Sequence, residues 1–334
     1  MHFALIISFM KCSEFLAQCN SWLGRRMFLV VLTALAAGLF FPLPSSPSLA
    51  KVAVALFAYM TFITALETSF KDFLCVIARP WVTLWVLLLV HGAAPLLSWT
   101  LGLFFYPDNY LVRLGLLLGA LTPIGVTSII WTSLVRGDVA LALAGVTVDT
   151  LVSPFLLPLL LALIAGQAVE VDYRRMLAGL LWMVTLPSVL GMAANELSRH
   201  RLAGFSRTAG GFTSKLALFG VVYINAGVVA PEIHWGLPVA KMLLAVLAAV
   251  AGSFALGYLG SLALKDRRHG TVAAMIYNVG MRNFSFGVVL AMAYFPPAVA
   301  VPVTLGMIFQ QPLAALISYF IRRPARRSPT ASLS

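Results

Sequence analysis

Charge is scarce in this chain. Only 10% of its 334 residues are Asp, Glu, Lys or Arg, against about 25% in soluble domains. That shortage excludes a soluble enzyme and a disordered protein. Cysteine is scarcer still. Cys12, Cys19 and Cys75 are too few and too scattered for a disulfide framework or a metal cage. The five histidines (His2, His91, His200, His234, His269) show no metal-ligand spacing. No G-x-x-x-x-G-K-[ST] loop is present, so ATP is not the expected energy source. Acidic residues number 11 against 23 basic ones. The basic residues lie between apolar runs rather than on one soluble face, which argues against a nucleic-acid partner.

What the chain has is apolar length. Hydrophobic residues make up 61%, and mean hydropathy is +0.96. The runs are continuous rather than alternating, so they read as membrane helices and not as barrel strands. Uncharged stretches cover 27–50, 52–66, 80–107, 114–135, 139–169 (broken by Asp149) and 176–195. They continue over 216–231 (lengthened by the neutral residues 208–214), 242–264, 270–295 (broken by Arg282) and 298–321, with Pro296-Pro297 as the last turn. Residues 4–10 resemble a signal core, but no basic residue precedes them and no small-residue cleavage site follows. Residues 1–26 therefore read as a cytoplasmic or interfacial helix.

Ten spans with both termini inside put 17 of the 23 basic residues on the cytoplasmic side and 5 outside, with Arg282 within a span. This is the bias of the positive-inside rule. The expected class is an all-α integral protein of the cell (inner) membrane. The basic tail 323–334 is expected at the cytoplasmic face, near anionic lipid.

Ten spans divide into two sets of five, 27–169 and 170–322, the second inverted with respect to the first. The fourth span contains Leu121-Thr122-Pro123-Ile124-Gly125-Val126-Thr127-Ser128; the ninth contains Tyr277-Asn278-Val279-Gly280-Met281-Arg282-Asn283. These spans are equivalent in the repeat. Pro123 removes a backbone donor, and Gly125 and Gly280 allow an unwound peptide. Freed backbone groups must line a cavity rather than face lipid. Paired interrupted helices point to a transporter's binding site.

The sequence resembles the bile acid/sodium symporter family over residues 27–321. Similarity is carried by Ser133-Leu134-Val135-Arg136-Gly137-Asp138-Val139-Ala140-Leu141-Ala142, by Thr150-Leu151-Val152-Ser153-Pro154, and by Gly280-Met281-Arg282-Asn283, which is similar to the family's Gly-Met-Gln-Asn. The resemblance implies a panel of spans 1, 2, 6 and 7, a core of spans 3–5 and 8–10, crossing unwound segments in spans 4 and 9, and sodium-coupled transport of organic anions. It also implies a sodium site, of which Ser128 remains here. The family's neighbouring Asn is Ile129, its fifth-span oxygens are Ala142 and Val146, and its ninth-span Glu is Asn278. A hard cation wants several oxygens, so a site reduced to Ser128 and Asn278 is expected to hold sodium weakly or not at all. At the family's second site the Gln is Arg282, and a third-span Gln falls at Val90 or His91.

An arginine within a span usually faces a cavity. Arg282 is read as replacing the sodium charge and receiving an anionic substrate, with snorkelling to the interface as the alternative. Asp149 lies three residues beyond Val146 on roughly the same face. It is read as pairing with Arg282 or taking up a proton, with a purely structural ion pair as the alternative. His91 is a second candidate for ion coupling, or else a packing histidine. Asn283, Thr127, Ser128 and Asn278 adjoin the breaks and are candidate substrate contacts. Tyr223, Asn225, Gln310 and Gln311 line the cleft or bond to neighbouring helices. The expected function is secondary transport of small organic anions by alternating access, without a resident cofactor. Proton-coupled or uncoupled carriage is the alternative; a membrane-embedded sensor or enzyme is the alternative of another class. Nothing in the sequence sets substrate, direction or oligomeric state.

Overall fold

The computed structural model describes residues 15–24, 26–67, 80–166, 172–233 and 236–321. Residues 1–14 and the basic tail 323–334 lie outside the described residues, as do Cys12, Cys75, His2 and His234. Regular structure among the described residues is helical. Thirteen helices follow one another: α1 Phe15–Gly24, α2 Met27–Phe40, α3 Pro47–Ala65, α4 Pro80–Phe105, α5 Tyr110–Leu121, α6 Thr127–Leu134, α7 Val139–Ala165, α8 Tyr173–Leu197, α9 Arg201–Glu232, α10 Leu237–Leu262, α11 His269–Gly280, α12 Phe284–Tyr294 and α13 Pro297–Ile321.

Seven of these, α3, α4, α7, α8, α9, α10 and α13, are long and apolar enough to cross a bilayer. α5 and α12 are shorter apolar helices, and α1 turns by 77° from α2. The chain is thus an all-helical membrane protein.

Local chemistry sets the helix starts. Ser46, Asn109, Asp138 and Asp172 each accept a hydrogen bond from a first-turn amide: Leu49 (3.3 Å), Val112 (3.1 Å), Leu141 (3.0 Å) and Arg175 (3.0 Å). The first apolar run ends earlier than its lack of charge predicts. α2 stops at Phe40, and residues 47–50 open α3, because Pro47 suits a first helical position behind the Ser46 cap. Between α10 and α11, Asp266 accepts from Arg268 Nε and Nη2, both at 2.8 Å. That guanidinium holds the Asp266 carboxyl well below the usual carboxylate range.

The helices pack in two groups. α9 lies against α2 and α3, and α3 against α8. In the second group α4 packs on α5 and α10, α5 on α13, α10 on α11, and α11 on α6 and α7. α12 bridges the groups through α3 and α13.

Candidate functional site: two interrupted helices that cross

The site is built where the chain between α5 and α6 meets the chain between α11 and α12. Pro123 has no amide hydrogen and cannot continue α5. The donors around it go elsewhere. Thr122 N bonds back to Leu118 O at 3.2 Å, and Gly125 N reaches Met281 O at 2.9 Å. From the other break, Asn283 N reaches Pro123 O at 2.8 Å. These two bonds make an antiparallel bridge between Ile124 and Arg282. Ile124 N, inside that bridge, is bound by the Asp149 carboxylate of α7. Arg282 N is bound by Gln310 Oε1 of α13 at 2.7 Å. Every N–H of residues 122, 124, 125, 282 and 283 is satisfied without water. Buried backbone demands such pairing.

Neither Gly125 nor Gly280 has a positive φ. The expectation that these glycines supply unusual backbone angles is therefore corrected: they supply close approach. A Cβ on Gly280 would stand 2.1 Å from Phe254 Cδ1, and one on Gly125 would stand 3.1 Å from the Arg282 carbonyl oxygen.

Arg282 is 2% exposed. Its Nη2 donates to Val90 O at 3.2 Å, while Nε and Nη1 have no hydrogen-bond partner. Val90 is free to accept for a reason visible in α4. A π turn covers Leu89–Ala93, and Ala94 N bonds to Leu89 O. The next residue, Pro95, has no N–H, so the helix supplies no donor to Val90 O. Arg282, Ser98, Gly119, Ser253 and Phe284 line a small cavity of about 30 Å³, room for about two waters.

Asp149 is fully buried and His91 is 5% exposed. His91 Nε2 contacts Asp149 Oδ1 directly, and Ser153 Oγ donates to the same oxygen at 3.0 Å. His91 Nδ1 has no partner. Asp149 was expected to pair with Arg282; its contacts are instead His91, Ser153 and Ile124 N. The carboxylate is already occupied by those three partners. The snorkelling alternative for Arg282 is also corrected, since the side chain is buried among α4, α5 and α10.

The remaining candidates divide. Ser128 and Asn278 come together: Ser128 Oγ donates to Asn278 Oδ1 at 2.9 Å, and Asn278 Nδ2 points to Ala142 O at 3.4 Å. Asn283 caps α12 by accepting from Phe286 N at 3.2 Å. Thr127 is the half-buried first residue of α6. Gln311 accepts from Trp131 Nε1 at 2.9 Å, and Trp131 stacks on Tyr277. Asn225 is buried with neither amide atom bonded. Gln310, one of the residues left ambiguous by sequence, holds the Arg282 backbone; no sequence signal specifies that contact.

The residues around Ser128 and Asn278 do not make a cage of oxygens that suits sodium. Ile129 and Val146 pack in an apolar cluster with Val86, Val90, Ile124, Met275 and Val279. Ala142 packs with Leu141, Ala274 and Ile129. The amide of Asn278 already directs an N–H at the Ala142 carbonyl, and Ser128 spends its proton on Asn278. A cation needs converging oxygens there and meets hydrocarbon and an N–H donor.

The profile of the Sodium Bile acid symporter family matches residues 53–235. The chain belongs to that family. It is 37% identical over 269 residues to "Uncharacterized protein YbaS" of Bacillus subtilis, covering 80% of this chain and 88% of that protein. It is 24% identical over 264 residues to "Uncharacterized sodium-dependent transporter YocS" of the same organism, covering 79% and 80%. To "Probable sodium/metabolite cotransporter BASS2, chloroplastic" of Oryza sativa it is 26% identical over 248 residues, covering 73% and 57%. Membership and the names of the second and third of these relatives point to a transporter rather than an enzyme.

Proposed function

We propose that this chain is a secondary carrier of small organic anions, in which Arg282 receives the anion at the crossing of the two interrupted helices. The observation that carries the reading is the buried guanidinium. An arginine 2% exposed, with Nε and Nη1 unpartnered beside a cavity, is costly unless a ligand completes it. A carboxylate or sulfonate supplies the two acceptors that a guanidinium fork takes.

The architecture in this reading is ten spans in a five-plus-five inverted repeat, 27–169 and 170–322. Spans four and nine are the broken pairs α5/α6 and α11/α12. The grouping of α2, α3, α8 and α9 apart from α4–α7 and α10–α13 supports a panel that rocks against a core. The 17-to-5 distribution of basic residues supports a cell-membrane protein with both termini cytoplasmic. Likeness to a sodium-dependent transporter and a sodium/metabolite cotransporter supports transport. Ser128, Asn278 and the apolar residues around them favour a carrier that does not use sodium at that site.

The test measures anion-induced thermal stabilisation of the detergent-solubilised protein with acetate, benzoate, succinate, cholate and benzenesulfonate, in sodium and in choline at equal ionic strength. At least one anion should stabilise the wild type equally in both cations. Arg282→Gln should weaken that anion by at least about 100-fold, the loss of two charge-assisted bonds of about 1.5 kcal/mol or more each. An anion response unchanged in Arg282→Gln, or present only with sodium, would refute the reading.

A further inference from the structure

We propose that His91, Asp149 and Arg282 form a charge-balanced triad that carries one proton with each monovalent anion, making transport electroneutral. The inference rests on the anion site proposed above and adds its coupling ion. Among the described residues these are the three buried side chains with an acidic or basic group. Tyr277, the buried phenol nearby, donates to Ala314 O at 3.2 Å. The other groups facing the triad are neutral: Ser153 from α7, the Val90 carbonyl from α4, Ile124 N from the first break and Gln310 from α13.

The charge count is short. Arginine stays protonated, Asp149 is a carboxylate, and neutral His91 adds nothing, so the empty site is neutral. An anion alone leaves one buried negative charge. A proton alone leaves one buried positive charge. Each excess costs several kcal/mol in a low-dielectric interior. Both together restore neutrality, so each ligand raises the affinity for the other, reciprocally.

The proton has a place to go. With Nε2–H facing Asp149 Oδ1, the lone pair of His91 is on Nδ1, the atom without a partner. A proton from water forms an N–H bond at Nδ1, giving an imidazolium paired to the carboxylate. The O–H bond of the hydronium that delivers it breaks on entry, and on the other side the Nδ1–H bond breaks as the proton rejoins water. The event is felt at the helix break, because Asp149 Oδ2 holds Ile124 N, and Ile124 is bridged to Arg282.

The test uses the full chain, reconstituted in a weakly buffered medium, with methanesulfonate and benzenesulfonate as probes. Both are ionised at every working pH and bring no proton of their own. Addition to the wild type should draw about one proton per anion bound, and apparent affinity should fall as pH rises. Asp149→Asn should bind without proton uptake and with a flat pH profile. His91→Gln keeps Asp149 but removes the proton's acceptor, so it should bind both sulfonates much more weakly than the wild type, and it serves if Asp149→Asn does not fold. Sulfonate binding without proton uptake in the wild type overturns the triad and leaves the carrier reading standing. Failure of both probes to bind the wild type overturns the anion site, and the triad with it.

Discussion

Adding one methyl group at Gly145 should destabilise this protein in a way that a second substitution reverses. A Cβ there would lie 2.3 Å from Asn278 Nδ2 and 3.2 Å from its Cγ. Asn278 is fully buried and holds two bonds, from Ser128 Oγ at 2.9 Å and to Ala142 O at 3.4 Å. Gly145→Ala forces the amide away. Overpacking costs about 1–3 kcal/mol, and the disrupted bonds about 1–2 kcal/mol more. The better helix propensity of alanine returns about 1 kcal/mol. The net is a loss of about 1–4 kcal/mol. In an Asn278→Ala background the obstacle is gone and only the propensity term remains, so Gly145→Ala should be neutral or stabilising by up to about 1 kcal/mol. Unfolding of all four proteins in mixed micelles gives the coupling energy directly. An equal loss in both backgrounds would refute the claim that Gly145 exists to admit the Asn278 amide.

Two further expectations follow from contacts at the break and at the α10–α11 corner. Gln310→Leu leaves the Arg282 amide without an acceptor and should cost about 1–3 kcal/mol in the same unfolding assay; an unchanged stability would count against that contact. Asp266 has a carboxyl whose folded value is depressed by Arg268, so its contribution is present above the unfolded value of about 3.9 and is lost as pH falls through the folded one. Asp266→Asn should therefore lower the thermal midpoint slightly at neutral pH, with a difference that shrinks as the medium is acidified; a constant difference would count against the ion pair.

The helical membrane class was legible because apolar runs of about 20 residues have few other uses. The end of the first run was not, because absence of charge says nothing about a corner; Pro47 behind Ser46 carries that signal. At the site, Pro123 marks the interruption through its missing donor. The glycines were misread, since close approach and unusual φ call for the same residue and only coordinates separate them. Pairings 58 residues apart (His91 with Asp149) or 28 apart (Arg282 with Gln310) depend on helix placement that no local pattern encodes. Pro95 is an exception. With the π turn that precedes it, it leaves the Val90 carbonyl open for Arg282.

The bridge between the two breaks is made of peptide groups alone, Gly125 to Met281 and Asn283 to Pro123. Neither bond uses a side-chain atom, so a change of side chain at 124 or 282 leaves both donors and both acceptors in place. The ion chemistry at the crossing can be rebuilt by substitution while the joint between the two interrupted helices stays the same.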